Sequence, residues 1–274
     1  MSKVAVSRAV KAVQKFYPIA LADKTWDNTG LLLDSSSDNI KSDQLNILLT
    51  IDLTQSVAEE AVKKSANFIV AYHPFIFRGL KSITTKDPQQ RSLIKLIQNN
   101  ISVYSPHTAV DSAYGGVNDY LVDGITYGFD IQSREAIEKD ENAQDCGMGR
   151  IVTLKKPAPL SKLIGNVKCS LGLKYVQIAR GSGTSKDHEV STIAICAGAG
   201  GSVFKGIKAD LYFTGELSHH EALYFTESGS SIITTNHSNT ERAFLKVIKK
   251  QLSETLQDAN VFVSETDRDP YELA

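Results

Sequence analysis

Apolar residues recur along this chain in two alternating rhythms. Val4, Val10, Val13 and Phe16 fall at helical spacing and predict an opening helix that stops before Pro18. The apolar run over residues 46–51 (NILLTI) predicts a fully buried strand, followed by Thr54 as the N-cap of a helix reaching about residue 64. Residues 67–71 form the next predicted strand, 90–98 a helix behind Pro88, 101–104 a short strand and 116–123 another helix. From residue 150 the alternation resumes, with strands over 150–154, 175–179, 192–196, 211–214, 231–235 and 261–263. The intervening helices are expected after Pro159 and from Ser202, Ser218 and Thr240, with an exposed hairpin or loop over 181–189. Strands and helices taking turns in this way are the pattern of parallel βαβ units.

Residues 133–149 (SREAIEKDENAQDCGMG) break the rhythm, being acid-rich and without hydrophobic period. The expected organisation is therefore an α/β chain of two α/β lobes with mixed or mainly parallel sheets, over 1–132 and 150–274, joined by a boundary loop over 133–149. At 274 residues both lobes can bury a core. Lys and Arg number 30 against 31 Asp and Glu, and this near balance argues against a nucleic-acid partner, whose phosphates reward many cationic contacts. No window approaches the ~18 consecutive apolar residues of a membrane span, so no membrane partner is expected. Cys146, Cys169 and Cys196 are odd in number and never paired as C-x-x-C, which disfavours a disulfide framework or a thiolate zinc site and points to buried thiols in a cytoplasmic protein. Lys3, Arg8, Lys11 and Lys15 precede the first acid, Asp23; an amphipathic first helix of the fold and a mitochondrial transit segment both fit that pattern.

In α/β sheets ligands gather beyond the carboxyl ends of strands, and there this chain repeatedly places histidine. His73 follows the strand over 67–71, His107 that over 101–104 and His237 that over 231–235. His107 has Asp111 four residues on, and His237 has Glu241. On one turn of helix such pairs share a face and offer a nitrogen and an oxygen to one ion, chemistry that suits Zn, Fe, Mn or Ni. Helix entry and capping produce the same spacing, so the residues alone leave both readings open. Glu216 and His220, also four apart, suit orientation of a ligand, general acid–base work, or a capped helix with solvated histidines. Gly198, Gly200, Gly201 and Ser202, between a strand and a predicted helix, either expose backbone N–H groups to a phosphate or permit close helix–sheet packing.

Several segments then read together. They are Trp26-Asp27-Asn28-Thr29-Gly30-Leu31, Tyr72-His73-Pro74-Phe75-Ile76-Phe77 with Leu80-Lys81-Ser82-Ile83, and His107 to Asp111 with Asn118. Further on come Gly198 to Ser202, Thr214-Gly215-Glu216 with His220, and Asn236-His237 with Glu241. In this order they resemble the family named for the Ngg-interacting factor three, dinuclear-metal proteins of the GTP-cyclohydrolase-I type-II kind. The resemblance implies a two-lobed α/β fold with a metal site between the lobes. It implies one or two divalent metal ions per chain, held by His73, His107, Asp111, His237 and Glu241, in a homo-oligomer. As activity it implies hydrolysis of a nucleotide or related small-molecule substrate, with Glu216 and His220 moving protons and the 198–202 turn holding a phosphate. The family name also implies an alternative, a non-enzymatic interaction protein whose partner is a transcriptional adaptor protein. Many members carry two successive histidines before the proline. Here the first is Tyr72, and a phenol of pKa about 10 is the poorer ligand, so one ion site is expected to be the weaker.

Overall fold

Ser2 starts the first helix of the computed structural model, its hydroxyl accepting from the Ala5 N–H at the head of α1 (Lys3–Phe16). The helix forms as predicted, but it buries Ala5, Val6, Ala9, Ala12 and Val13, while Val4 is exposed. Alanines allow the closer approach, and Tyr17, just beyond, donates its hydroxyl to Gln251 at 2.6 Å.

Residues 1–37 and 43–272 are described. Along them follow β1 (Gly30–Leu33), β2 (Asn46–Thr50), α2 (Gln55–Lys63), β3 (Phe68–Ala71), α3 (Pro88–Gln98), β4 (Ser102–Ser105) and α4 (Thr108–Ser112). Thr54 caps α2 as the sequence predicts, and Asp87 caps α3 with Pro88 in its first turn. The chain continues through α5 (Val117–Ile125), β5 (Ile131–Lys139), β6 (Gly147–Pro159), α6 (Leu160–Leu171), β7 (Gln177–Ala179), β8 (Glu189–Ala199) and β9 (Leu211–Glu216). It ends with α7 (His219–Glu227), β10 (Ser231–Thr234), α8 (Asn239–Arg242), α9 (Leu245–Thr255) and β11 (Asn260–Val263).

Two compact units result, but not along the expected lines. One is Met1–Val110 with Leu245–Ala274; the other is Asp111–Phe244. In the first, the sheet order is β1-β4-β3-β2-β11, parallel except for the β1–β4 pair. Its core includes Leu48, Val57, Ile69, Leu93, Leu96 and Val103. The C-terminal strand belongs here because Val261 and Phe262 pair in register with Ile47 and Leu48, a long-range match that local patterning does not carry. In the second unit the order is β5-β6-β8-β9-β10-β7, parallel only between β8, β9 and β10.

The expected boundary loop over 133–149 is instead most of a hairpin, β5 pairing antiparallel with β6 from Ile131↔Leu154 to Lys139↔Gly147. One strand edge carries the ladder and only Ala136 of β5 is fully buried, so acids occupy the solvent side without any hydrophobic period. The lobes over 1–132 and 150–274 are corrected accordingly.

Glu60 of α2 fastens the returning C-terminus within the first unit. It is buried and accepts from the hydroxyls of Ser264 (2.6 Å) and Thr266 (2.8 Å) and the N–H groups of Glu265 (3.0 Å) and Thr266 (3.1 Å). Burial pushes its carboxyl up, but the bonds from Ser264, Glu265 and Thr266 outweigh burial and hold it below the usual carboxylate range. A carboxyl lowered on folding stabilises fully above its unfolded pKa, about 4.3, and that contribution is lost as pH falls through the lower folded value. Glu60→Gln is therefore expected to loosen the segment by about 1–3 kcal/mol at neutral pH. Hydrogen-exchange protection of the Glu265 and Thr266 amides reads this directly. The difference from wild type should shrink as pH falls below about 4.

Candidate functional site

In the first unit, the Tyr72 and His73 N–H groups donate to the carbonyls of Thr50 and Ile51. This carries the β2–β3 ladder past the strand and fixes His73 at its carboxyl end. Asp52, two residues beyond β2, sets Oδ1 2.9 Å from His73 Nδ1. β4 delivers His107, whose N–H donates to the Tyr72 carbonyl and whose φ of +34° is a strained backbone for a side chain branching at Cγ. Asp27 explains how that strain is held. Its buried carboxylate sits 2.8 Å from His107 Nδ1 and accepts from the Thr108 hydroxyl at 2.5 Å. Burial pushes the Asp27 carboxyl up, and the His107 and Thr108 contacts bring it below the usual range. The rings of His73 and His107 meet edge to face at 5.4 Å, and buried Tyr72 lies edge-on to both.

In the second unit, Asn236 turns the chain at φ +69° after β10. His237 then places Nδ1 2.8 Å from Glu216 Oε1 and Nε2 3.4 Å from Glu241 Oε1. Glu241 is buried in α8 and His237 stands in the turn just before that helix, so the predicted pair meets although only its carboxylate is helical. Glycine makes room for it. A Cβ on Gly198, itself at φ +65°, would come 2.9 Å from His237 Nε2 and 3.1 Å from Glu241 Oε1. One on Gly215 would lie 2.6 Å from the Gly198 carbonyl and 2.8 Å from His237 Cα. Asp111 is buried, and Asn118 accepts from the Ala197 N–H while donating to the Asp111 carbonyl, tying α5 to both segments.

Two expectations are corrected here. No helix begins at Ser202; residues 201–206 are a run of turns. The Gly198 and Gly200 N–H groups donate to the hydroxyls of Thr240 (2.9 Å) and Thr214 (3.0 Å). The Glu221 carboxylate packs so close to Gly201 that a Cβ there would fall 2.1 Å from Oε1. With the Gly198 and Gly200 N–H groups engaged and a carboxylate against Gly201, close packing is the reading that the turn over Gly198, Gly200, Gly201 and Ser202 favours over an anion cradle. The Glu216–His220 pair also dissolves. Glu216 closes β9 and turns to His237, whereas His220 is exposed in the first turn of α7, beyond the Ser218 cap.

Asp27, Asp52 and Glu216 each hold the Nδ1 of a candidate histidine, which leaves Nε2 as the ligating atom. Asp27 and Asp52 had no spacing signal, although Asp27 stands in the Trp26-Asp27-Asn28 segment. The thiols take no part. All three cysteines are free, and Cys196 is buried as expected, but Cys169 is exposed and Cys146 half-buried. Burial, aided by Asp111, Glu138 and Glu241, pushes the Cys196 thiol far up.

These features define an α/β protein with carboxylate-backed imidazoles at its strand ends, a donor chemistry able to hold a metal ion. The family model Duf34/NIF3 (NGG1p interacting factor 3) matches residues 4–270, and the chain belongs to that family. It is 45% identical to NGG1-interacting factor 3 of Saccharomyces cerevisiae, over 100% of this chain and 99% of that protein. It is 48% identical to Protein NIF3 homolog of Schizosaccharomyces pombe, over 98% and 99%. Among solved structures, a Bacillus cereus protein related to NIF3 has the same fold, with TM-score 0.81 at 21% identity over 98% of each chain. No described helix is long and apolar enough to cross a membrane.

Proposed function

We propose that this chain is a divalent-metal-dependent hydrolase of a nucleotide or related small molecule, of the GTP cyclohydrolase I type II-like kind. His73, His107, Asp111, His237 and Glu241 supply its metal ligands. The observation that carries this reading is the threefold repeat of Nδ1 on a carboxylate: Asp52 on His73, Asp27 on His107 and Glu216 on His237. Surface histidines have no reason to repeat that arrangement, while metal-binding histidines almost always have it. Three imidazoles and two carboxylates suit one or two first-row divalent ions. Such an ion, when bound, lowers the pKa of a water and polarises the carbon it attacks. The chain's own residues hold each ring in one tautomer and orientation, and Gly198 leaves room beside His237 Nε2. Glu216 is thus a positioning residue. Glu216→Gln is expected to weaken metal affinity by about 10–100-fold with little change in folding, measured by competition against a chelator.

Metal analysis of the purified protein, followed by hydrolysis assays on GTP, tests the whole reading. One or two equivalents per chain with ring-opened product supports it. A metal-loaded protein that leaves GTP and a panel of nucleotides, phosphoesters and cyclic amides intact overturns it. The name of the yeast relative, NGG1-interacting factor 3, supports a second reading, a metal-organised interaction protein. On that reading, variants lacking metal lose a protein partner instead of turnover.

A further inference from the structure

Trp26 is 52% exposed and Phe77 47%, an unusual position for two large rings in contact, their centroids 6.2 Å apart and tilted by 54°. Trp26 also meets His107 edge to face, at 5.7 Å and 85°. Exposed aromatic side chains usually sit on loose loops, but this segment is tied down at nearly every residue. The Asp23 N–H donates to the Thr108 hydroxyl at 2.9 Å, and the Asp23 carboxylate accepts from the Thr25 N–H and hydroxyl at 2.7 and 2.6 Å. Asp27 is bound to His107 and Thr108, and the Asn28 side-chain amide donates to the Ile76 carbonyl, next to Phe77. The residues on both sides of Trp26 are therefore held in place and its ring rests against Phe77 and His107, with ring surface left in solvent beside a candidate metal ligand.

We propose that Trp26, with Phe77, is a stacking platform for a planar nitrogen heterocycle, which it presents next to His107. The proposal rests on the hydrolase reading above and names the part of the substrate that binds. A flat heteroaromatic ring matches an aromatic face, and stacking does not depend on a particular hydrogen-bond pattern. A ring held there lies against the imidazole that the hydrolase reading assigns to the metal. A phosphate gains nothing from such a surface, and a phosphorylated ribose, with no aromatic face of its own, gains far less than a base.

Trp26 is the only tryptophan in the chain, so its fluorescence reports this position alone. Titration of the metal-loaded protein with guanosine, excited at the red edge of the indole band, is expected to quench the emission saturably. Ribose 5-phosphate and tripolyphosphate should leave it unchanged. By calorimetry, Trp26→Ala should bind guanosine about 5–150-fold more weakly with metal content intact, and Trp26→Phe should recover most of the loss. The platform is overturned by an equal response to ribose 5-phosphate, by guanosine binding undiminished in Trp26→Ala, or by loss of metal in that variant. Emission that changes with protein concentration and not with guanosine also overturns it, in favour of a second copy of the chain on this surface. Saturable guanosine quenching without any hydrolysis supports the platform and removes the hydrolase reading. GTP hydrolysis by Trp26→Ala at unaltered KM does the reverse.

Discussion

Replacing Arg150 by methionine is expected to destabilise the second unit by about 3–5 kcal/mol, the largest stability loss foreseen for a single side chain here. Arg150 is 1% exposed, yet its guanidinium is fully engaged. Nε and Nη2 donate to the two Asp119 oxygens at 3.0 and 2.8 Å, Nη1 to the carbonyls of Gly147 and Gly149 at 2.7 and 2.8 Å, and Nη2 also to that of Ala113 at 3.2 Å. One side chain thus joins the start of β6, the head of α5 and the turn after α4. The methionine variant would leave Asp119 charged in a buried site, with the Gly115 N–H at 2.8 Å and Arg134 at 3.5 Å as the remaining described donors. Lysine is no substitute, because it has no planar fork to reach the carboxylate and the carbonyls together. Exchange of the β6 and β8 amides near the global limit measures the loss within this unit. The double variant Asp119→Asn with Arg150→Met should cost clearly less than the two single changes summed. A single-variant cost below about 1 kcal/mol would mean that the network is not what holds these elements.

Nothing in the sequence around Arg150 marks it. Local pattern made most elements legible: the caps at Thr54 and Ser218, the apolar runs of β2 and β3, and the stop before Pro18 all act over a few residues. What escaped depends on partners far along the chain. β11 joins β2 across more than two hundred positions by register alone, so the unit boundaries could not be read from a composition shift. The β5–β6 hairpin hid because an exposed strand needs no hydrophobic period, and the helix expected at Ser202 failed because Gly200 and Gly201 are committed to close contacts. At the candidate site the ligand types and the His237–Glu241 pair were visible, since i,i+4 spacing is a local rule. Asp27 lies eighty residues from His107, and only the fold brings an orienting carboxylate to its imidazole.

The proposed ligand set makes the strongest prediction about the site. His73 stands in the first unit, and His237 and Glu241 in the second. If their donors serve the same ions, His73→Ala and His237→Ala should each remove metal to a similar extent, as read by equivalents bound per chain after dialysis. If each unit binds metal separately, each variant should lose only its own share, and the double variant the sum. The loss should exceed the 10–100-fold change expected for Glu216→Gln, since a ligand is removed and not merely its support. The His237 side chain is partly exposed, so the folding stability of His237→Ala should change little while its metal disappears. His107→Ala extends the comparison to the third histidine of the proposed set. A wild-type protein with two equivalents that keeps one in His107→Ala would assign His107 to a single ion, whereas loss of both would make it common to the pair. Retention of full metal in all three alanine variants would refute the ligand set.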